Sequence, residues 1–234
     1  MAKYSAIILA AGSGSRMGSK IAKQYLPLEG KPLVYYALRA FADSMVDELI
    51  LVVASGEIEY CKTQIIDKYH IDKVSHIVEG GRERYDSVYA GLQKVSGDYV
   101  LIHDGARAFV DEAIITRAME AVNQYQACCV GMPVKDTIKI VDDKNYASET
   151  PSRDTLWMVQ TPQCFATDLI RNAYEKILQR TDVAVTDDSM VVEQMTDVKV
   201  KLISGSYDNI KVTTPEDMVL GTAILQQRRD KNES

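Results

Sequence analysis

Glu48–Ala54 reads ELILVVA, a run in which apolar residues follow one another without alternation. A strand with one face in water alternates apolar and polar side chains, so an unbroken run of this length fits a strand covered on both faces. A similar run, Tyr4–Leu9, precedes it. Between the two, Leu33, Val34, Tyr36, Ala37, Ala40 and Phe41 recur at helical spacing. Pro32 stands where such a helix begins, because the fixed φ of proline suits a first turn. Buried strands separated by helices predict a mostly parallel sheet with helices on both faces, whose ligands lie beyond the carboxyl ends of the strands.

The alternation continues, with a helix expected over 57–69, a strand over 73–78, a helix over 84–95, a strand over 98–102 and a helix over 111–125, capped by Asp111. It then breaks. Residues 127–133 and 137–141 read as strands, a polar stretch follows over 142–153, and 156–160 is extended again with no helix between. This pattern describes a β-hairpin arm at about 137–158 projecting from the sheet. Its apolar residues, Trp157 among them, need cover from this chain or another, and a homodimer is the simplest supplier. Helices are expected over 167–178, 187–195 and 215–226, extended segments over 198–203 and 209–212, and a charged, fraying tail from Arg228. With no repeat or linker, residues 1–234 read as one domain carrying an arm.

The balance of 27 basic and 33 acidic side chains, a net charge of −6, argues against nucleic-acid or anionic-membrane binding, both of which need a basic face. No stretch is long enough to span a membrane. Residues 6–11 (AIILAA) are shorter than most signal-peptide cores and run straight into a charged, glycine-rich loop, so a buried strand is the better reading. Cys61, Cys128, Cys129 and Cys164 show no C-x-x-C spacing and read as reduced, buried thiols of a cytoplasmic protein. His70, His76 and His103 are too scattered for a zinc site.

The loop after the first strand, Ala10–Tyr25, reads AAGSGSRMGSKIAKQY. Small residues at the end of a buried strand let backbone N–H groups approach an anion. No register supplies the Walker pattern, and Gly12, Gly14 and Gly18 are spaced one residue too long for a dinucleotide fingerprint. A nucleoside-triphosphate loop that adds cationic side chains to backbone donors fits better. Arg16 would grip phosphate oxygens as a fork and Lys23 as a mobile point charge. A glycine-rich turn with solvated charges remains the plain alternative.

The segment LAAGSGSRMG followed by AKQY resembles the signature of sugar-phosphate nucleotidyltransferases, and most of all the 2-C-methyl-D-erythritol 4-phosphate cytidylyltransferase family. GGRERYDS (80–87), HDGAR (103–107), KDTIK (135–139), SRDTLWMVQTPQCF (152–165), TDDS (186–189) and DNIKVTTP (208–215) extend the resemblance, in order, from Ala6 to Asp217. It implies a Rossmann-like α/β sheet and transfer of CMP from CTP to a sugar-alcohol phosphate, with release of pyrophosphate. It implies CTP contacts from Ala10, Ala11, Gly12, Gly14, Gly81, Ser87 and Gly105. Arg16, Lys23, Arg153 and Lys211 would be the catalytic cations. Asp104, Arg107, Thr137 and Thr161 would hold the acceptor, Asp104 also helping to bind Mg²⁺, and the arm would cross into a partner subunit. Ala22 and Ala108 stand where the family commonly has proline, and Gly105 where it commonly has alanine.

Three other readings compete. A ribitol-5-phosphate or other pentitol-phosphate cytidylyltransferase would share the fold, but AAG, HDGAR and TDDS favour methylerythritol phosphate over it. A non-catalytic nucleotide-binding module would not need Arg16, Lys23, Asp104, Arg153 and Lys211 together. An oxidoreductase with a dinucleotide cofactor has the wrong glycine spacing.

Overall fold

The computed structural model describes residues 2–12, 22–180 and 184–233. Strand β1 (Tyr4–Ala10) lies inside a seven-stranded sheet with β4 (Glu48–Val53) on one side and β6 (Tyr99–Asp104) on the other, both parallel to it. β5 (Val74–Glu79) continues the sheet beyond β4. On the other side come β10 (Trp157–Ala166), β7 (Ala127–Pro133) and β11 (Lys201–Ser204), giving the order β11-β7-β10-β6-β1-β4-β5. Only β10 runs antiparallel to its neighbours within this sheet.

The apolar runs are buried for the expected reason. Ala6, Ile8 and Ala10 of β1, with Leu49, Leu51 and Val53 of β4, pack against α1 (Leu33–Asp43) and α4 (Glu112–Tyr125) on one face. Ile7, Ile50 and Val52 point to the opposite face, beneath α3 (Arg84–Leu92), α5 (Thr167–Ile177) and α6 (Asp188–Met195). A third cluster joins Leu28 of the short strand β2 (Pro27–Leu28), which pairs with β3 (Lys31–Pro32), and Leu33, Phe109 and Val212 to Ile224 of α7 (Pro215–Glu233). Among the described residues no helix is long and apolar enough to cross a membrane.

Several expectations are corrected. The helix expected over 57–69 is a short α2 (Ile58–Cys61) that widens into a π-helical stretch, Lys62–Asp67. The segment 209–212 forms no strand, and Val212 N–H instead donates to the Ala106 carbonyl at 2.9 Å. The tail does not fray at Arg228: α7 runs on to Glu233, with Arg228 Nη2 donating to the Phe109 carbonyl at 2.6 Å. β10 is ten residues long, twice the extended stretch expected over 156–160. Its middle, residues 160–163 (QTPQ), is polar in sequence, but Gln160 and Gln163 are buried with dedicated hydrogen-bond partners, and the register shifts between Val159 and Gln163.

The hairpin arm is present but sparsely paired. Only β8 (Ile140–Val141) and β9 (Ala147–Glu149) form a ladder, closed by Asp142, whose Oδ1 accepts the Lys144 and Tyr146 N–H groups at 2.9 Å each. Every residue from 135 to 150 is exposed, Ile138, Ile140, Val141 and Tyr146 included.

Candidate active site

The carboxyl ends of β1 and β6 open into a cleft of about 370 Å³. Ala10, Ala11 and Gly12 form one wall. Gln24 is buried behind it and donates from Nε2 to the Ala10 carbonyl at 2.5 Å, while Tyr25 donates from its hydroxyl to Glu57 Oε2 at 2.6 Å. These bonds tie the Lys23–Tyr25 turn to the end of β1 and to the start of α2, and Lys23 lies in the cleft lining. The facing wall is the turn Gly80–Gly81 and the start of α3. A Cβ on Gly80 would stand 2.5 Å from Ser87 Oγ and 2.7 Å from Ala11 Cβ, so the two walls meet more closely than any side chain would allow. Glu83 and Asp86 close a capping box around the first turn of α3.

Asp104, the last residue of β6, forms the floor. Its carboxylate meets Lys211 Nζ at 2.7 Å, Arg84 Nε at 3.6 Å and Arg107 Nε at 4.0 Å. Burial would raise its pKa, but the charges of Arg84, Lys211 and Arg107 and the Lys211 hydrogen bond win and hold the carboxyl well below the usual range. Asp104 is therefore an anion among cations at neutral pH.

Beyond this junction a second compartment of about 300 Å³ is lined by Arg107, Val159–Thr161, Gln163, Thr186 and Asp187, and shares Arg84, Asp104 and Lys211 with the first. Most of its polar lining is tied by hydrogen bonds. Thr161 Oγ1 accepts the Asp104 N–H at 3.1 Å, which leaves its own proton for Nδ1 of His103 at 3.0 Å. That bond fixes the tautomer, so the ring donates from Nε2 to the Arg107 carbonyl at 3.1 Å. Burial pushes His103 down to about 4, and it is neutral. Gln163 donates to Asp187 Oδ2 at 2.8 Å and accepts the Ser189 N–H at 2.9 Å. Arg107 donates through Nη1 and Nη2 to the carbonyls of Asn209 and Val159. Its buried Nε has no hydrogen-bond partner among the described residues.

The family model for 2-C-methyl-D-erythritol 4-phosphate cytidylyltransferase (IspD) matches residues 4–227. Proteins of that name from Clostridium botulinum strain 657 and Lachnospira eligens are 51% and 50% identical, covering 97% and 94% of this chain and 99% and 98% of their own lengths. The chain belongs to this family. The solved 4-diphosphocytidyl-2C-methyl-D-erythritol synthase of Anaerococcus prevotii superposes with a TM-score of 0.85 at 36% identity, covering 96% of both chains. The Thermus thermophilus cytidylyltransferase follows with 0.78 at 29%, covering 96% of this chain and 99% of its own.

Of the residues expected to serve a 2-C-methyl-D-erythritol 4-phosphate cytidylyltransferase, the structure brings Ala10, Ala11, Gly12, Lys23, Gly81, Ser87, Asp104 and Lys211 to the first compartment. Arg107 and Thr161 line the second. Arg16 and Gly14 lie outside the described residues. Gly105 is not in either lining: its N–H donates to the Leu9 carbonyl at 2.8 Å, and an added Cβ would come within 2.9 Å of that oxygen. Its position is one of close packing against the end of β1. Thr137 and Arg153 are also outside both linings, exposed at the arm, where Arg153 Nη1 donates to the Lys135 carbonyl at 3.0 Å.

Sequence reasoning missed Arg84, Gln163, Asp187 and Asp188. A signal was present. Arg84 opens a helix, where the macrodipole disfavours a cation, so its position asks for a compensating anion. TDDS offers two adjacent carboxylates at another helix start, although one suffices as a cap. Asp187 is that cap, accepting the Met190 N–H at 2.9 Å, and Asp188 is the anion bound to Arg84.

Proposed function

We propose that this chain transfers CMP from CTP to 2-C-methyl-D-erythritol 4-phosphate, giving 4-diphosphocytidyl-2-C-methyl-D-erythritol and pyrophosphate for isoprenoid precursor synthesis. The observation that carries the reading is the divided cleft, two compartments meeting at one carboxylate and its cations, in a chain of this family. The first suits a nucleoside triphosphate: backbone at Ala10–Gly12 and Gly81, with Lys23 beside the phosphates. The second suits a polyol phosphate, with Arg107 and Lys211 for the phosphate and Asp187, Thr161 and Thr186 for hydroxyl groups.

The acceptor's phosphate oxygen attacks the α-phosphorus of CTP; one P–O bond forms as the bond to the bridging α,β oxygen breaks, and the electron pair leaves with pyrophosphate. The nucleophile is already an anion, so no strong general base is needed. Catalysis rests on overcoming anion–anion repulsion and on fixed charge around the phosphoryl oxygens. Lys23 and Arg16 stabilise the triphosphate charge, and Lys211, held by Asp104, directs the acceptor toward the α-phosphorus. Mg²⁺ fits this chemistry. Asp104 is ionised, and no cluster of three or more His, Cys, Asp or Glu is found among the described residues. That donor set suits an ion carried in on the triphosphate with its waters, rather than one caged by protein. Bound there, it would neutralise charge on the phosphoryl oxygens.

A homodimer completes the site in this reading. The exposed Ile138, Ile140, Val141 and Tyr146 of the arm ask for a partner, and Thr137 and Arg153 on the same arm would serve the cleft of a second copy. Full activity of a strictly monomeric protein would overturn that assignment. Four buried, unpaired cysteines favour the reducing cytoplasm.

The test is pyrophosphate release from CTP and Mg²⁺ with alternative acceptors. Release with methylerythritol phosphate and none with ribitol 5-phosphate is the expected result. Release with ribitol 5-phosphate alone would move the protein to pentitol-phosphate chemistry, and no release with either would leave a nucleotide-binding module.

A further inference from the structure

We propose that Asp188 and Tyr174 are positioning residues of the transfer reaction, acting through Arg84; the proposal rests on the reading of the cleft as a nucleotidyl-transfer site. Arg84 lines both compartments, and about a third of its side chain (31%) is exposed there. Behind it, Asp188 is fully buried, and its two oxygens accept from Arg84 Nη1 at 2.9 Å and Nη2 at 2.8 Å. The hydroxyl of Tyr174, itself fully buried, donates to Asp188 Oδ1 at 2.6 Å. Burial and the adjacent carboxylate hold that phenol well above its ordinary pKa, so it stays a donor.

The geometry has a consequence for the cleft. A guanidinium is planar, so two bonds to one carboxylate fix its whole plane. Fixed this way, Arg84 stops with Nε 3.6 Å from Asp104 Oδ1, beyond hydrogen-bond length, while Lys211 holds Oδ2 at 2.7 Å. Released from Asp188, Arg84 would be free to close on Asp104 and compete with Lys211 for it. A buried ion pair stabilises a fold little better than apolar packing does. A buried carboxylate that spends both oxygens on the back of a cleft-facing arginine is therefore better explained as an orienting device. It joins α3 to α6, across 104 residues of chain.

The experiment is a double-mutant cycle on kcat/KM for pyrophosphate release, using Asp188→Asn, Arg84→Ala and the pair, with Tyr174→Phe as a milder variant. Asp188→Asn should lower kcat/KM on the order of 10²-fold, mostly through kcat, as expected for a misplaced reacting group. In the Arg84→Ala background the same change should cost less than about threefold, because coupled residues are not additive. Tyr174→Phe should cost a few-fold alone and nothing in that background, and it decides the matter if Asp188→Asn folds poorly. An equal loss with and without Arg84 would overturn the inference alone. A wild-type chain that releases no pyrophosphate would bring down the functional reading and this inference with it.

Discussion

Glu48 and Asp104 stand at opposite ends of the two parallel strands that flank β1 in one sheet, the first opening β4 and the second ending β6, and each is only 8% exposed. Both carboxyls are held below their ordinary pKa against the cost of burial. Their partners differ. Glu48 Oε1 accepts from Ser5 Oγ at 2.5 Å, from Ser96 N–H at 2.7 Å and from Ser96 Oγ at 2.8 Å. Asp104 is matched chiefly by the three cations Lys211, Arg84 and Arg107. Neutral donors that lose such an acceptor are left unsatisfied, so Glu48 is a permanent tie between β1, β4 and the loop before β6. Cations can trade a carboxylate for a phosphate, so Asp104 holds a set of charges ready for ligands. Burial and a lowered pKa are common to both residues; the character of the partners separates structural from chemical use.

The largest effect expected is from Asp104→Asn, which should cut turnover on the order of 10²–10³-fold in the pyrophosphate assay by releasing Lys211 and unbalancing the site. A variant that loses stability but keeps its rate would reduce Asp104 to the class of Glu48. The reciprocal change, Glu48→Gln, should lower stability by about 1–3 kcal/mol, read as a shifted urea midpoint, and leave kcat within about twofold.

Glu48's folded pKa lies below its unfolded value, so its contribution is complete above the ordinary carboxylate range and is lost as pH falls through the folded value. The stability gap between wild type and Glu48→Gln should therefore shrink between about pH 7 and about pH 3. A gap that is constant across this range would show that the carboxyl charge is not what ties the strands.

The sheet's first half was legible because its strands are short apolar runs and its helices carry clear periodicity and caps, Asp111 among them. The loss of legibility at β10 has a physical cause. Gln160 and Gln163 are buried because Ser206, Asn209, Asp187 and Ser189 satisfy them, and those partners lie 24 to 49 residues away in sequence. Local pattern carries no trace of such bonds. The segment 209–212 misled for the opposite reason: its apolar residues serve a loop that delivers Lys211, not a strand. Within the site, glycine-rich turns and strand-end charges were readable, while the Arg84–Asp188 pair required two distant helix starts to be considered together. Gly105, where the resemblance implies a nucleotide contact, packs closely under the end of β1, a constraint that local sequence does not reveal.

The two compartments divide the substrates between them, and a structure of the wild-type chain with CTP and Mg²⁺ tests that division. The expected complex has the base against Gly81 and Ser87, the triphosphate between Ala10–Gly12 and Lys23, and the α-phosphorus turned toward Asp104 and Lys211. The space between Arg107 and Gln163 should remain clear for the acceptor. A nucleotide seated against Arg107 and Gln163, with no contact to Gly81 or Lys23, would contradict this division.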